Sequence, residues 1–283
     1  AAYRAFDQLG MRYDAAKALS YLAIARIRQG KTILGLDLFD RSREIFVSER
    51  NEVWLGMIDL FKAAALAREG RRFEAERLVA DAREVFSAGG LTAKLAAADT
   101  LLALLRLEDG DLAAARRLCN RALERLNDLE LPSLEHPALF ILGRIEERAG
   151  NLASALAAFE ASHHKLARSR SSAQADELKI PLLDSHLEVY QSLVALMVGD
   201  HSARDPESVF GYMELAKARN LVDLLASRAL ALPSRQARSV QVERVRRLRE
   251  ELNWYYRRLD VEEMALGDSE GGDLSELRGQ TRD

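Results

Sequence analysis

Apolar and polar positions along this chain recur with a spacing of forty residues. Gly30, Gly70, Gly110 and Gly150 stand forty apart, each closing one apolar-periodic segment and preceding another. A fixed period of this length marks a helical repeat array, and each glycine sits where a helix-terminating left-handed residue belongs. Seven residues before the glycines stand Ala23, Ala63, Ala103 and Gly143; five after stand Gly35, Ala75, Ala115 and Ala155. Small residues on both flanks of a turn predict two helices that cross closely, with no room for larger side chains. Nine after come Phe39, Val79, Cys119 and Phe159, twelve after Ser42, Ala82, Ala122 and Ser162, and sixteen after Phe46, Phe86, Leu126 and Leu166. The repeat is a helix–turn–helix hairpin, and the chain is an all-α stack of hairpins.

The pattern predicts hairpins at about 13–49, 52–87, 92–128 and from Pro132 to about Arg168, the last with Pro137 confined to the first helical turn. In the first hairpin Ala18, Leu22 and Ala25 are expected on the buried side, facing Leu38, Ile45 and Phe46. Phe6 falls forty residues before Phe46, so residues 1–9 read as the end of a second helix whose repeat begins upstream, and the chain as a fragment of a longer protein. Residues 1–168 thus form the array. Residues 169–232 are expected to be an elongated fifth hairpin, entered through the polar run SRSSAQAD and continuing the frame if Gly199 is the turn glycine, with Leu187, Ser192 and Val194 at the equivalent positions. Residues 233–267 carry Val245, Leu248, Leu252, Tyr255 and Leu259 at spacings of three and four, a coiled-coil-like seam. The polar, glycine-rich residues 268–283 read as a flexible tail.

Composition narrows the function classes. A net charge of −3 supplies no electrostatic reason for nucleic acid or an anionic membrane as partner. The arginine-rich stretch at 235–258 is interleaved with Glu243, Glu250 and Glu251, the mark of a solvated helix face. No apolar run approaches the roughly 18 residues of a membrane span. A single cysteine precludes a disulfide framework and points to a reducing, cytoplasmic setting. Cys119 holds a core position of the repeat, and His136, His163, His164, His186 and His201 form no ligand-spaced motif. Neither a phosphate-binding glycine loop nor a nucleophile–base pair is present, so no cofactor, no metal and no catalysis by this chain are expected.

The small-residue pattern around each turn resembles the tetratricopeptide repeat, although the period is forty and not thirty-four, and the aromatic four residues before the turn is replaced by Arg26, Leu66, Arg106 and Glu146. HEAT-type repeats share the longer period. The run FGYMELAKARNLVDLL from Phe210 to Leu225, and REELNWYY from Arg249 to Tyr256, resemble the closing and linker helices of bacterial tetratricopeptide–CHAT proteins. The resemblance implies a right-handed superhelical solenoid with C-terminal capping and linker helices. It also implies a protein-binding scaffold that regulates a caspase- and separase-like cysteine peptidase domain following this chain. A second reading is the sensor arm of a signalling ATPase or transcription regulator.

In such an array the first helices line a concave groove. The expected floor is Ser20, Leu60, Thr100 and Phe140 at ten before each glycine, with Ile24, Leu104 and Arg144 at six before. A rim of three arginines and one glutamate, Arg28, Arg68, Glu108 and Arg148, would suit a partner protein or peptide carrying a carboxylate. Glu214, Lys217 and Arg219 share a predicted helix and are expected either to pair on a solvated face or to couple the array to the next domain.

Overall fold

The computed structural model describes residues 2–168, 186–199 and 209–214. The chain divides into two compact units, Ala1–Leu196 and Met197–Asp283. Nearly all described residues belong to the first. It contains α1 (Ala2–Gln8), α2 (Arg12–Arg28), α3 (Thr32–Ser48), α4 (Glu52–Arg68), α5 (Arg72–Ala88), α6 (Thr92–Glu108), α7 (Leu112–Leu126), α8 (Pro132–Arg148) and α9 (Leu152–Arg168). Helix α10 (His186–Gly199) runs on across the boundary. In the second unit, residues 209–214 are also helical. No described residue is in a strand, and no described helix is long and apolar enough to cross a membrane. The expected linker and tail, 233–283, and most of the fifth hairpin lie outside the described residues.

The first unit is a helical-hairpin solenoid. Helices α2 to α9 pair as α2·α3, α4·α5, α6·α7 and α8·α9, and each second helix packs on the first helix of the next hairpin. First helices also touch one another across joints, at α2·α4, α4·α6 and α6·α8. This places α2, α4, α6 and α8 in one layer and α3, α5, α7 and α9 in another.

The module underneath the forty-residue period is twenty residues long. Left-handed backbone occurs at Gly10, Gly30, Arg50, Gly70, Gly90, Gly110, Glu130 and Gly150, one every twenty positions. Between these points lie helices of 17 residues, α7 being shorter at 15. The Gly30 N–H donates to the Ile27 carbonyl at 2.9 Å and the Lys31 N–H to the Arg26 carbonyl at 2.9 Å. This is a Schellman closure. It recurs at Gly70, Gly110 and Gly150, and again at Arg50 and Gly90 between hairpins. Glycine adopts this conformation without the steric cost that Arg50 (φ 52°) and Glu130 (φ 46°) bear.

Close crossing follows from the small residues. Ala23, Ala63, Ala103, Ala75, Ala115 and Ala155 are fully buried. A Cβ on Gly143 would stand 2.5 Å from the ring of Phe159, and one on Gly35 would stand 2.9 Å from the Ala23 carbonyl. Phe39, Val79, Cys119 and Phe159 fill the space between crossing helices, and all are inaccessible to solvent. Where the repeat places serine and not alanine, the hydroxyl is satisfied by the first helix of the same hairpin. Ser42 Oγ donates to the Ala16 carbonyl and Ser162 Oγ to that of His136, each at 2.8 Å and at equivalent positions.

Three expectations need correction. The buried face of α2 is Ala16, Leu19, Ser20, Ala23, Ile24 and Ile27, while Leu22 and Ala25 are exposed, because the small crossing residue Ala23 sets the face. Pro137 lies in the second turn of α8, whose first residue is Pro132. In α10 the inward residues are Val189, Tyr190 and Leu193, with Ser192 half-buried and Leu187 exposed. The frame there runs one residue later than a turn at Gly199 requires, and Tyr190 meets His163 of α9 edge-on at 5.3 Å.

Candidate functional site

The first helix of the second full hairpin, α4, is covered on nearly all sides. In α4 every residue from Val53 to Leu66 is buried except the half-buried Lys62. An all-round apolar helix belongs inside a protein, and the stretch VWLGMIDLFKAAALA carries that signal in the sequence. The expected groove floor is therefore core. Ser20 and Leu60 are fully buried, Thr100 and Phe140 nearly so, and Ile24 is 5% exposed. Ser20 Oγ pairs with Ser42 Oγ at 2.8 Å, Thr100 Oγ1 donates to the Ala96 carbonyl, and Phe140 packs against Phe159. None of these four offers a surface to a ligand. Leu104 is half-buried.

The expected rim is at the surface, but part of it is already engaged. Arg28, Arg68 and Arg148 are exposed at the ends of their helices. Arg144 Nη2 reaches Glu108 Oε1 at 2.8 Å, Arg148 Nη2 lies 3.8 Å from the same oxygen, and Arg148 Nη1 donates to the Leu107 carbonyl. Glu108 thus supplies from within the array the carboxylate that the rim was expected to take from a partner. Of the expected coupling residues, Glu214 is exposed, and Lys217 and Arg219 lie outside the described residues.

The open surface lies at the joints, and the repeat fills equivalent joint positions with different chemistry. Six residues after one turn glycine and four before the next, second and first helices face each other. At the joint of α5 with α6 this pair is Glu76 and Arg106, 2.9 Å apart. At the joint of α7 with α8 the charges are reversed. Arg116 donates through Nε and Nη2 to Glu146 at 2.6 and 2.9 Å, and Asn151 adds a third hydrogen bond at 2.8 Å. The Arg116 hydrogen bond holds the Glu146 carboxyl below its ordinary value, against the opposing effect of burial. At the joint of α3 with α4 the same positions hold Leu36 and Leu66. The position four before the turn glycine thus carries an inter-hairpin contact at each of these joints.

Leu36, Leu66 and Leu78 line a cleft of about 220 Å³ between α3, α4 and α5. Its rim is charged. Lys62 pairs with Asp40 at 2.6 Å, Arg71 pairs with Glu74 at 2.6 Å, and Arg77 stands beside them. Ile33 and Phe73 occupy equivalent positions in successive second helices, one turn before the lining residues Leu36 and Arg77. They are 87% and 84% exposed. Each thus stands exposed one helical turn from the cleft, and exposed apolar side chains beside an apolar cleft are the kind of feature that marks interaction surfaces.

A second set of joint contacts links α3 and α5 each to a buried aspartate sixteen residues on. Arg43 binds Asp59 at 2.8 Å, and Arg83 lies 3.1 Å from Asp99. Burial outweighs Arg43 and Lys62 and raises the Asp59 carboxyl above its ordinary value.

Cys119 lies in a core cluster with Ala103, Leu107, Ile141 and Ile145. Burial pushes its thiol up to about 12, which suppresses the thiolate that nucleophilic chemistry needs. His163 and His164 have ring centroids 5.5 Å apart, and burial followed by the charge of His164 lowers the His163 value. Among the described residues no three His, Cys, Asp or Glu side chains are grouped to hold a metal ion. The chain matches no protein-family model and no curated protein.

Proposed function

We propose that this chain is a non-catalytic scaffold that binds a partner protein or peptide. The observation that carries the proposal is the apolar cleft between the first two full hairpins, flanked by solvent-exposed Ile33 and Phe73. A rigid solenoid presents such a surface without rearrangement, which lowers the entropic cost of binding. An apolar side chain entering between Leu36 and Leu66, with polar backbone meeting the Lys62 and Arg71 rim, is the chemistry the cleft supports.

The partner's role follows from the resemblance of the 210–225 and 249–256 runs. They support a place next to a CHAT-type cysteine peptidase domain, whose activity partner binding on the array would control. Reading the coding sequence beyond Asp283 tests this. A domain with a His-Gly pair and a downstream catalytic cysteine is expected, and a helix-turn-helix or nucleotide-binding domain in its place removes the peptidase reading.

The binding reading is tested with peptides selected from a displayed library on the whole chain. Peptides that bind the native chain are expected to lose at least about tenfold in affinity for Ile33→Ser/Phe73→Ser, a loss of two exposed apolar contacts. Both side chains are exposed, so helicity and melting temperature should not change. Selected peptides that bind native and variant chains equally would remove the cleft as the binding surface.

A further inference from the structure

The joint of α5, α6 and α7 carries a surplus of positive charge that its counterpart one repeat earlier lacks. Asp99 is fully buried, and three arginines converge on its two oxygens. Arg121 Nη2 lies 2.8 Å from Oδ1 and Arg121 Nε 2.9 Å from Oδ2, while Arg125 Nε is 3.2 Å from Oδ2 and Arg83 Nε 3.1 Å from Oδ1. Three guanidinium charges on one carboxylate leave an excess of two. At the equivalent joint, Asp59 meets Arg43 and Lys62, and positions 81 and 85, which match Arg121 and Arg125, are Asp81 and Val85. Lys62 also pairs with Asp40, so two cations there face three acids and no positive surplus remains. Arg121 and Arg125 supply the hydrogen bonds of the buried Asp99, and their charge, with that of Arg83, exceeds what one carboxylate neutralises.

The surplus is presented outward. The side chains of Arg83, Arg121 and Arg125 are 32%, 41% and 30% exposed. Asp99 occupies Arg121 Nε and Nη2 and Arg125 Nε, which leaves Arg121 Nη1 and both Nη atoms of Arg83 and Arg125 for another acceptor. Arg83 Nε is buried and satisfies no hydrogen bond. Each guanidinium has a fixed fork of N–H groups, suited to tetrahedral oxyanions. A lone carboxylate would cancel half the surplus. A phosphoryl group carries a charge of about −2 at pH 7 and three acceptor oxygens, which fits three guanidiniums with an excess of two.

We infer that Arg83, Arg121 and Arg125 form a receptor for the phosphoryl group of a phosphorylated serine or threonine in a partner polypeptide. The site is separate from the Leu36–Leu66 cleft and stands whether or not that cleft holds a peptide.

The test begins with the whole chain and inorganic phosphate. At matched ionic strength, phosphate in place of chloride should raise the native melting temperature by about 2 °C or more through binding to the folded state. Arg121→Gln/Arg125→Gln keeps the Arg83 charge 3.1 Å from Asp99 and places amide donors where the two guanidiniums stood, so it should fold but lose that increment. Arg77→Gln should keep it. Asp99→Asn frees further donors, so phosphate should stabilise this variant more than the native chain. An equal increment in Arg121→Gln/Arg125→Gln means a general salt effect and overturns the proposal. The second arm uses alanine-based nine-residue peptides with phosphoserine, glutamate or serine at the centre. About tenfold tighter binding of the phosphoserine peptide than of the glutamate peptide is expected, and about tenfold loss in Arg121→Gln/Arg125→Gln, as charge-assisted contacts of this kind are worth. No preference for the phosphorylated peptide assigns the site to free anions and overturns the partner reading.

Discussion

The joint between the first and second full hairpins and the joint between the second and third share one backbone plan and differ in what holds them. In the first, Leu36 and Leu66 line a cleft where the second has Glu76 and Arg106, and Asp59 has Arg43 where Asp99 has three arginines. Within the hairpins on either side, the crossing is made close by Ala63 with Ala75 and by Ala103 with Ala115, all fully buried and equivalent from one repeat to the next. A solenoid therefore separates two tasks. Small crossing residues fix how far apart the helices lie, and the positions flanking them are free to carry apolar surface or charge without changing the stack.

The comparison breaks most severely at the aspartates. Asp99→Ala should destabilise the chain by about 3 kcal/mol, the low end for breaking a buried pair because the arginines keep some solvent. Asp59→Ala should cost about 1 kcal/mol, since burial already works against its ionised form. Urea denaturation of both variants measures the gap, and equal losses would show that the extra arginines add nothing to the second joint.

A second test installs one joint's chemistry in the other. Leu36→Glu/Leu66→Arg should fold, because Glu76 and Arg106 hold that place one repeat later, and should abolish peptide retention at the cleft. At the Glu76–Arg106 joint, reversing both charges should restore most of the roughly 1 kcal/mol lost on reversing either alone, as the Arg116–Glu146 joint already has the opposite polarity. A double-mutant cycle reads that coupling directly.

The carboxylates also predict pH effects of opposite sign. The Glu146 value is lowered, so its contribution is fully present above the unfolded value near 4.5 and is lost as pH falls through the lower folded value. Glu146→Gln should thus be less stable than the native chain at about pH 7, with the difference shrinking at about pH 3. The Asp59 value is raised, so the folded chain holds that proton more tightly, and ionisation removes stability as pH rises from 3.8 through the folded value. Asp59→Asn should therefore compare better with the native chain at about pH 7 than at about pH 3. Parallel melting curves at the two pH values decide both signs.

The smallest effect concerns the turns. Arg50 takes a left-handed conformation that glycine provides at most equivalent points, so Arg50→Gly should stabilise the chain by about 0.5–1 kcal/mol. The converse, Gly30→Ala, should cost about 1 kcal/mol. No atom stands within 4 Å of the added Cβ, which makes the loss one of backbone strain alone.

The hairpin stack was legible in the sequence because the features that build it are local and repeated. Gly30, Gly70, Gly110 and Gly150 mark the turns by their handedness, and Ala23 through Gly143 mark the crossings by their size. The twenty-residue module was harder to see, since Arg50 and Glu130 occupy two of its turns without being glycine. The groove reading failed at Ser20, Leu60, Thr100 and Phe140 for a different reason. Periodicity tells which residues share a helix face, but not how many neighbours cover that face, and α4 packs on α2, α3, α5 and α6 at once. The length, handedness and spacing of the hairpins were thus set by the sequence itself, through backbone sterics acting within a few residues. Which side chains meet across a joint was decided by tertiary structure alone. Leu36 with Leu66, Arg116 with Glu146 and Arg121 with Asp99 are 22 to 30 positions apart. They become partners only when the crossing of two helices brings one face against another.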